Sequence, residues 1–393
     1  MFTDSLATEL FQLKQNNLYR QQKLLTSAQG AWVEVDGQRL VNFSSNDYLG
    51  LANHPKIKAA FKNAVDEYGV GSGASHLISG HSKAHQQLEQ VLCEWLERPR
   101  ALLFSSGYLA NCAVISGLLN RHDAIFQDKL SHASLIDGAK LSSAHLYRFQ
   151  HNDVSHLNEL LANSSAVGKE SKKIIATEGI FSMDGDAAPL KELSQLADQY
   201  KAALLIDDAH GLGCSGIEGR GSIALAGLTA AQAPLLMGTL GKALGTSGAF
   251  IAGDETLIEY LLQKARPYIY TTALPPAIAV ATSAAIAIVR TENWRREKLT
   301  EHIYFFRERA KKLGLKLANS QSAIQPLFLG NEKLGDVELT LTVGEKLFAQ
   351  GFWVSAIRPP TVPQGSARLR ISLSAEHTRE QLQDLLVALE KSL

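Results

Sequence analysis

The chain has 393 residues, 45% of them hydrophobic and 20% charged, with 39 Lys+Arg balanced by 39 Asp+Glu. That length and composition fit a globular protein of one large and one smaller domain, or of two comparable ones. Zero formal net charge removes any bulk electrostatic reason to expect nucleic acid or an anionic membrane as partner, and makes burial in an oligomer easy to tolerate.

The N-terminus, Met1 to Leu10, carries acidic residues and no apolar core of signal-peptide length. Residues 5–25 predict a polar helix with Leu6, Leu10, Leu13 and Leu18 as its apolar positions. Residues 31–43 alternate as a hairpin does, with Asp36-Gly37 as the turn. The segment Ser44 to Tyr48 is polar and turn-like. Gly69 to Gly80 is a Gly/Ser-rich loop outside any strand–turn–helix fingerprint for dinucleotides, and is read as an active-site or interface loop. Lys83 to Leu96 predicts an amphipathic helix, with Leu88, Val91, Leu92 and Trp95 at helical spacing. Short apolar strands follow at Ala101–Phe104, Lys173–Thr177, Ala203–Ile206, Leu235–Met237 and Ala249–Ala252, with a helix over Asn111–Leu119. The longest apolar run, Ala277 to Val289, follows Pro275-Pro276 and falls short of the roughly 20 residues that span a bilayer. It predicts a buried Ala-rich helix.

After residue 290 the character changes. Charge density rises over Arg290 to Lys312, two helix–strand stretches end in Arg368 to Leu373, and a terminal helix begins at Thr378. Strands alternating with helices imply a mostly parallel sheet covered on both faces, with ligands at the carboxyl ends of the strands. The expected organisation is an N-terminal helix and hairpin segment (1–45), a large α/β domain (46–290) and a small C-terminal α+β domain (291–393).

Three cysteines, Cys93, Cys112 and Cys214, show neither disulfide nor zinc spacing and fit a reducing, cytoplasmic setting. His81 and His85 lie four apart, as helical metal ligands can, but no third ligand accompanies them. Both are expected on the surface, and no metal is expected.

Four motifs carry chemistry. Gly238-Thr239-Leu240-Gly241-Lys242-Ala243-Leu244-Gly245 places a lysine among glycines between two strands. Ala243 follows the lysine where a P-loop needs Ser or Thr. The open readings are a surface lysine in a turn and a lysine whose neutral amine bonds covalently to a flat carbonyl cofactor. Leu204 to His210 ends a buried strand in Asp207, with His210 three residues on. These residues cap the next helix, or Asp207 faces a pyridine nitrogen while His210 bonds a phenolic oxygen, as pyridoxal phosphate requires of its protein. Because Asp207 and Lys242 end separate strands, both can point into one cleft. Ser105 to Asn111 is a small-residue turn at a helix start, suited to a phosphate, with Tyr108 able to stack on a ring and Thr239 able to add a hydroxyl. His132, in Asp128 to Ser134, is either a structural histidine or one stacked over the ring.

These motifs together resemble the α-oxoamine synthases, which are fold-type I pyridoxal-phosphate enzymes. The resemblance runs from about residue 30 to the C-terminus, weakly reaching Tyr19-Arg20. It rests on SSNDYLGL (44–51), GSGASHLISG (71–80), LSHAS (130–134), TEGIFSMDGD (177–186), IDDAHG (206–211), GTLGKALG (238–245) and PTVPQGSARLRIS (360–372). Ala74 stands where many members carry glycine, and both are small. The resemblance implies Lys242 as Schiff-base lysine, Asp207 as partner of the pyridine nitrogen, His210 as partner of the phenolic oxygen and His132 as the stacked ring. It implies Gly107 and Tyr108 as a phosphate cradle, and Ser182 and Thr239 as further cofactor contacts. Arg20 and Thr361 match substrate contacts, and Arg370 matches a carboxylate clamp. Asn46, Thr271 and Thr272 match residues that reach a neighbouring subunit's site, which implies a homodimer.

The implied activity is decarboxylative condensation of an amino acid with an acyl thioester. The segment Ala356 to Pro363 points to L-alanine and a pimeloyl thioester, as in biotin biosynthesis. Coenzyme A and an acyl carrier protein both stay open as the acyl carrier. Also open are glycine with acetyl- or succinyl-CoA and, from another class, a non-catalytic binding subunit.

Overall fold

The computed structural model describes residues 2–164, 171–330 and 337–393. In chain order the strands are β1 (Trp32–Val35), β2 (Gln38–Asn42), β3 (Arg100–Phe104), β4 (Ala124–Asp128), β5 (His145–Phe149), β6 (Lys173–Glu178), β7 (Ala203–Asp207), β8 (Leu235–Thr239), β9 (Ala249–Gly253), β10 (Ile324–Phe328), β11 (Phe352–Trp353), β12 (Ser355–Ile357) and β13 (Arg368–Ser372). Contacts divide the chain into two compact units. The first comprises 1–48, 183–186 and 297–393, and the second 49–182 and 187–296.

The second unit is built on a seven-stranded sheet of order β3-β9-β8-β7-β6-β4-β5. Strands β5, β4, β6, β7 and β8 pair in parallel, while β9 runs antiparallel to both β8 and β3. The sheet is therefore mostly parallel and covered by helices, as the alternating pattern predicts. Leu102, Ile125, Ile174, Leu205, Leu235 and Ile251 pack in one buried cluster with Ala113, Val114 and Ile115 of the helix Gly107–Leu118. Each such valine, leucine or isoleucine side chain contributes about 1.5–3 kcal/mol on burial. The helix Pro276–Thr291 is lined with buried alanines and isoleucines, as its composition implies.

Parallel pairing aligns strand ends. Glu178, the last residue of β6, lies opposite Asp207, the last of β7, and Asp207 lies opposite Met237 of β8. One edge of the sheet thus collects the terminal acids of β6 and β7 beside the loop that carries Lys242.

In the first unit β1, β2 and β11 form one sheet and β10, β13 and β12 another. Asp36 (φ 50°) and Gly37 (φ 80°) make the two-residue hairpin turn between β1 and β2. Val33, Val35 and Leu40 pack against Phe348 and Trp353. All of β13 is buried, including Arg368 and Arg370.

Three readings are corrected. The first helix spans Phe2–Gln15 rather than 5–25, because Asn17 adopts a left-handed conformation (φ 58°) that ends it, leaving Leu18 outside. His85 is not a surface residue but fully buried: its Nδ1 accepts the Ser82 N–H and its Nε2 meets the Leu274 carbonyl. The strands β4 and β5 add to those expected from the apolar runs.

Gly245, in the loop after β8, has φ +67°, and a Cβ there would lie 2.4 Å from the Ala52 backbone nitrogen. At Gly241 the nearest atom to such a Cβ is 3.5 Å away. Gly245→Ala is expected to lower unfolding stability by roughly 2 kcal/mol or more, and Gly241→Ala by less than about 1 kcal/mol. Denaturant titration of both variants checks this, and equal midpoints would refute it.

Candidate active site

The site is assembled on the carboxyl edge of the parallel strands in the second unit. Asp207 ends β7 with 4% of its surface exposed. An isolated carboxylate there would be costly, so it is held by donors. The Ala209 N–H donates to its Oδ1 at 3.0 Å and Asn111 Nδ2 to its Oδ2 at 2.7 Å. Beyond Ala209 the chain turns and presents His210, whose Nε2 lies 2.9 Å from Lys242 Nζ. The loop after β8 is set by Thr239, whose hydroxyl donates to the Gly248 carbonyl at 3.2 Å. Lys242, His210 and Asp207, predicted separately from two motifs, thus converge on one edge.

The helix Gly107–Leu118 starts beside this edge. Ser106 caps it by accepting the Leu109 N–H. The first N–H groups of a helix have no partner within it, so those of Gly107 and Tyr108 stay open to an anion. A Cβ on Gly107 would sit 3.6 Å from the Met237 side chain and 4.0 Å from that of Thr239, which places this turn against β8. The Tyr108 hydroxyl donates to Asp137, and its ring stands edge-on to His132 with centroids 6.5 Å apart.

His132 is the N-cap of the helix Ala133–Ser142. Its main-chain N–H donates to Glu178 Oε1 at 2.7 Å, and that of Ser182 donates to Glu178 Oε2 at 3.1 Å. Glu178 therefore ties together two predicted cofactor-contact loops. Burial, then the neighbouring Asp207, push its carboxyl up to about 8, against the pull of Lys242 and the two N–H bonds. Loss of water pushes the His132 imidazole below its ordinary value, with Asp207 opposing and Lys242 reinforcing the shift. Thr272 pairs with Ser75, and the Ala273 N–H donates to the Ala74 carbonyl, so the segment holding Thr271 and Thr272 is bound to the Gly/Ser-rich loop.

The remaining predicted residues lie in the first unit. Arg370 is buried on β13. Its Nη1 donates to Ser372 Oγ at 2.9 Å, and its Nη2 donates to Asn46 Oδ1 at 3.1 Å and the Tyr48 hydroxyl at 3.3 Å. Asn46 is thus drawn to Arg370 within the chain. Arg20 Nη2 reaches Thr361 Oγ1 at 3.5 Å, and Arg358 donates to the Tyr19 carbonyl at 2.6 Å.

A family model described as aminotransferase class I and II matches residues 38–389. The chain belongs to this family. Among its relatives, the 8-amino-7-oxononanoate synthases of Saccharophagus degradans and Nitrosococcus oceani are each 54% identical to it. Both alignments span 98% of this chain, and cover 95% and 100% of those proteins. Among solved structures, serine palmitoyltransferase of S. paucimobilis with pyridoxal phosphate and myriocin superposes with a TM-score of 0.91 at 30% identity, covering 99% of this chain and 96% of that one. The 8-amino-7-oxononanoate synthase of Francisella tularensis gives a TM-score of 0.77 at 36% identity, covering 90% and 97%. As a member of the family the chain has the fold-type I transferase architecture, with its seven-stranded sheet and smaller accessory sheets.

Two residues of this site escaped sequence reasoning. Glu178 ends an apolar strand in an acid, the same signal that marked Asp207. Asn111 is the one amide side chain in its helix, and both are buried. Among the described residues no group of histidine, cysteine and acidic side chains is placed to hold a metal.

Glu178 carries a prediction. Its folded pKa, about 8, lies above the ordinary glutamate value of 4.5, so the folded chain keeps a proton that the unfolded chain has released. The stabilisation is full below about 4.5 and is lost as pH rises through about 8. In cofactor-free protein, wild type should therefore lose stability relative to Glu178→Gln across that window. Parallel stability–pH curves would contradict this.

Proposed function

We propose that this chain is an 8-amino-7-oxononanoate synthase. It condenses L-alanine with a pimeloyl thioester to give 8-amino-7-oxononanoate, carbon dioxide and the free thiol, a step of biotin biosynthesis. The observation that carries this reading is the convergence of Lys242, His210 and Asp207 on one sheet edge, in a chain 54% identical to enzymes of that name over 98% of its length.

The residues present fit pyridoxal phosphate. A buried carboxylate held by two donors suits a pyridinium nitrogen, a lysine amine stands near it beside an imidazole, and the open N–H groups at Gly107 and Tyr108 suit a phosphate. When bound, this cofactor supplies the electron sink that lets the α-C–H and later the C–carboxylate bond of the amino acid break. Asp207 would hold a proton on the ring nitrogen, and His210 would bond the phenolic oxygen. His132 would stack on the ring, while Ser182, Thr239, Thr271 and Thr272 would supply further contacts to it. Lys242 Nζ is the attachment amine. As a neutral amine, that nitrogen would take the α-proton of alanine as general base and later return one. Arg370 binds the alanine carboxylate, in a bidentate pair that orients the bond to be broken. Arg20 and Thr361 would be further substrate contacts, and Asn46 would reach the neighbouring subunit's site.

We read the protein as a cytoplasmic homodimer with shared sites. Supporting this, the Gly/Ser-rich loop bound to the 271–274 segment exposes Val70 (81%), Leu77 (46%) and Ile78 (79%), which a second copy would cover. Among the described residues no helix is long and apolar enough to cross a membrane.

The test is a substrate panel crossing L-alanine, L-serine and glycine with pimeloyl, palmitoyl, succinyl and acetyl thioesters, each on coenzyme A and on acyl carrier protein, read by carbon dioxide release. Alanine with a pimeloyl thioester should exceed every other pair in kcat/KM. A higher value for another pair, or no turnover at all, would refute the assignment.

A further inference from the structure

The contacts of Asp207 extend past its own loop. Asn111 Nδ2, which donates to Asp207, also donates to Ser134 Oγ at 2.9 Å, and Ser134 Oγ lies 2.8 Å from His132 Nδ1. The Ser134 main-chain N–H points at the same Nδ1 from 3.3 Å. Asn111, Ser134 and Asp207 are all buried, so water does not compete for these bonds.

The number of protons in this line decides its polarity. Facing a carboxylate, Asn111 must turn its NH2 toward it, leaving its Oδ1 buried without a partner. One amide hydrogen goes to Asp207 and the other to Ser134. Ser134 Oγ therefore accepts from Asn111, and its single hydroxyl proton remains for His132. The Ser134 main-chain N–H asks for an acceptor at the same nitrogen. A proton on Nδ1 would meet two donors, so the proton of the neutral ring belongs on Nε2. That nitrogen has no hydrogen-bond partner among the described residues. The other groups around the ring leave this polarity intact: Glu178 holds the main-chain N–H of His132, Tyr108 meets the ring edge, and Asp207 and Lys242 act on it through charge.

We propose that Ser134 and Asn111 are positioning residues that lock His132 in the Nε2–H tautomer, so that the ring offers a fixed N–H donor to an oxygen of the bound substrate. The use of that donor rests on the synthase function proposed above, whereas the tautomer stands independently of it.

The experiment is nitrogen NMR of histidine-labelled protein, cofactor-free and loaded with pyridoxal phosphate, with His132 assigned by the signals lost in His132→Gln. Wild type should show a bare Nδ1 and a protonated Nε2 in both states. In Ser134→Ala the neutral ring should become a mixture of tautomers, and kcat/KM should fall about tenfold, the scale of one buried hydrogen bond. Ser134→Thr, which keeps the hydroxyl, should restore the single tautomer. Asn111→Ala, with Ser134 intact, should also loosen it. A wild-type His132 protonated on Nδ1, or a Ser134→Ala protein with unchanged tautomer, overturns the lock. A changed tautomer with unchanged kcat/KM overturns its catalytic use. The expected tautomer in a wild-type protein inactive on alanine and a pimeloyl thioester would sink the synthase reading and leave the lock standing.

Discussion

Parallel strands in register bring their last residues to a common edge, and here three of those last residues are acids. Asp128 ends β4, Glu178 ends β6 and Asp207 ends β7, all buried. Carboxyl groups crowded at a buried edge are unfavourable unless each is supplied with donors. The donors come from the loops that follow the strands. Asp128 accepts the N–H groups of Leu130 and Asn152, Glu178 those of His132 and Ser182, and Asp207 that of Ala209. Asp208 repeats the device by accepting both the N–H and the hydroxyl of Ser222. The loops that present His132, Ser182 and His210 are thereby fixed before any ligand arrives, with Lys242 set beside His210.

Such preorganisation is what a site of this kind needs. The groups proposed to meet the cofactor are held by residues whose own geometry is fixed in the sheet, rather than by mobile surface contacts. Arg370 follows the same rule in the first unit, buried on a strand and held by Ser372, Asn46 and Tyr48.

Much of this was legible in the chain. The apolar runs at 101–104, 173–177, 203–206, 235–237 and 249–252 became strands, since a run flanked by turn residues has little choice in a sheet covered on both faces. The convergence of Asp207 and Lys242 followed from strands ending at one edge. Other features were hidden for physical reasons. Strand β4 reads AIFQD and carries a glutamine whose NH2 finds its acceptor, the Leu135 carbonyl, only in three dimensions. Strand β5 sits at the sheet edge, so its mixed pattern lacks an apolar run. The burial of His85 depends on Leu274, 189 residues away in sequence, and no local pattern shows it. Asn111 and Ser134 look like ordinary helix polar residues until Asp207 and His132 stand beside them.

Everything proposed for this edge depends on Lys242 being the amine that holds pyridoxal phosphate. The protein loaded with that cofactor, fixed with borohydride, digested and mapped by mass spectrometry tests the assignment most directly. A phosphopyridoxyl label is expected on the peptide containing Lys242, and it should be lost in Lys242→Ala. A label confined to another lysine, or a Lys242→Ala protein labelled as fully as wild type, would contradict it.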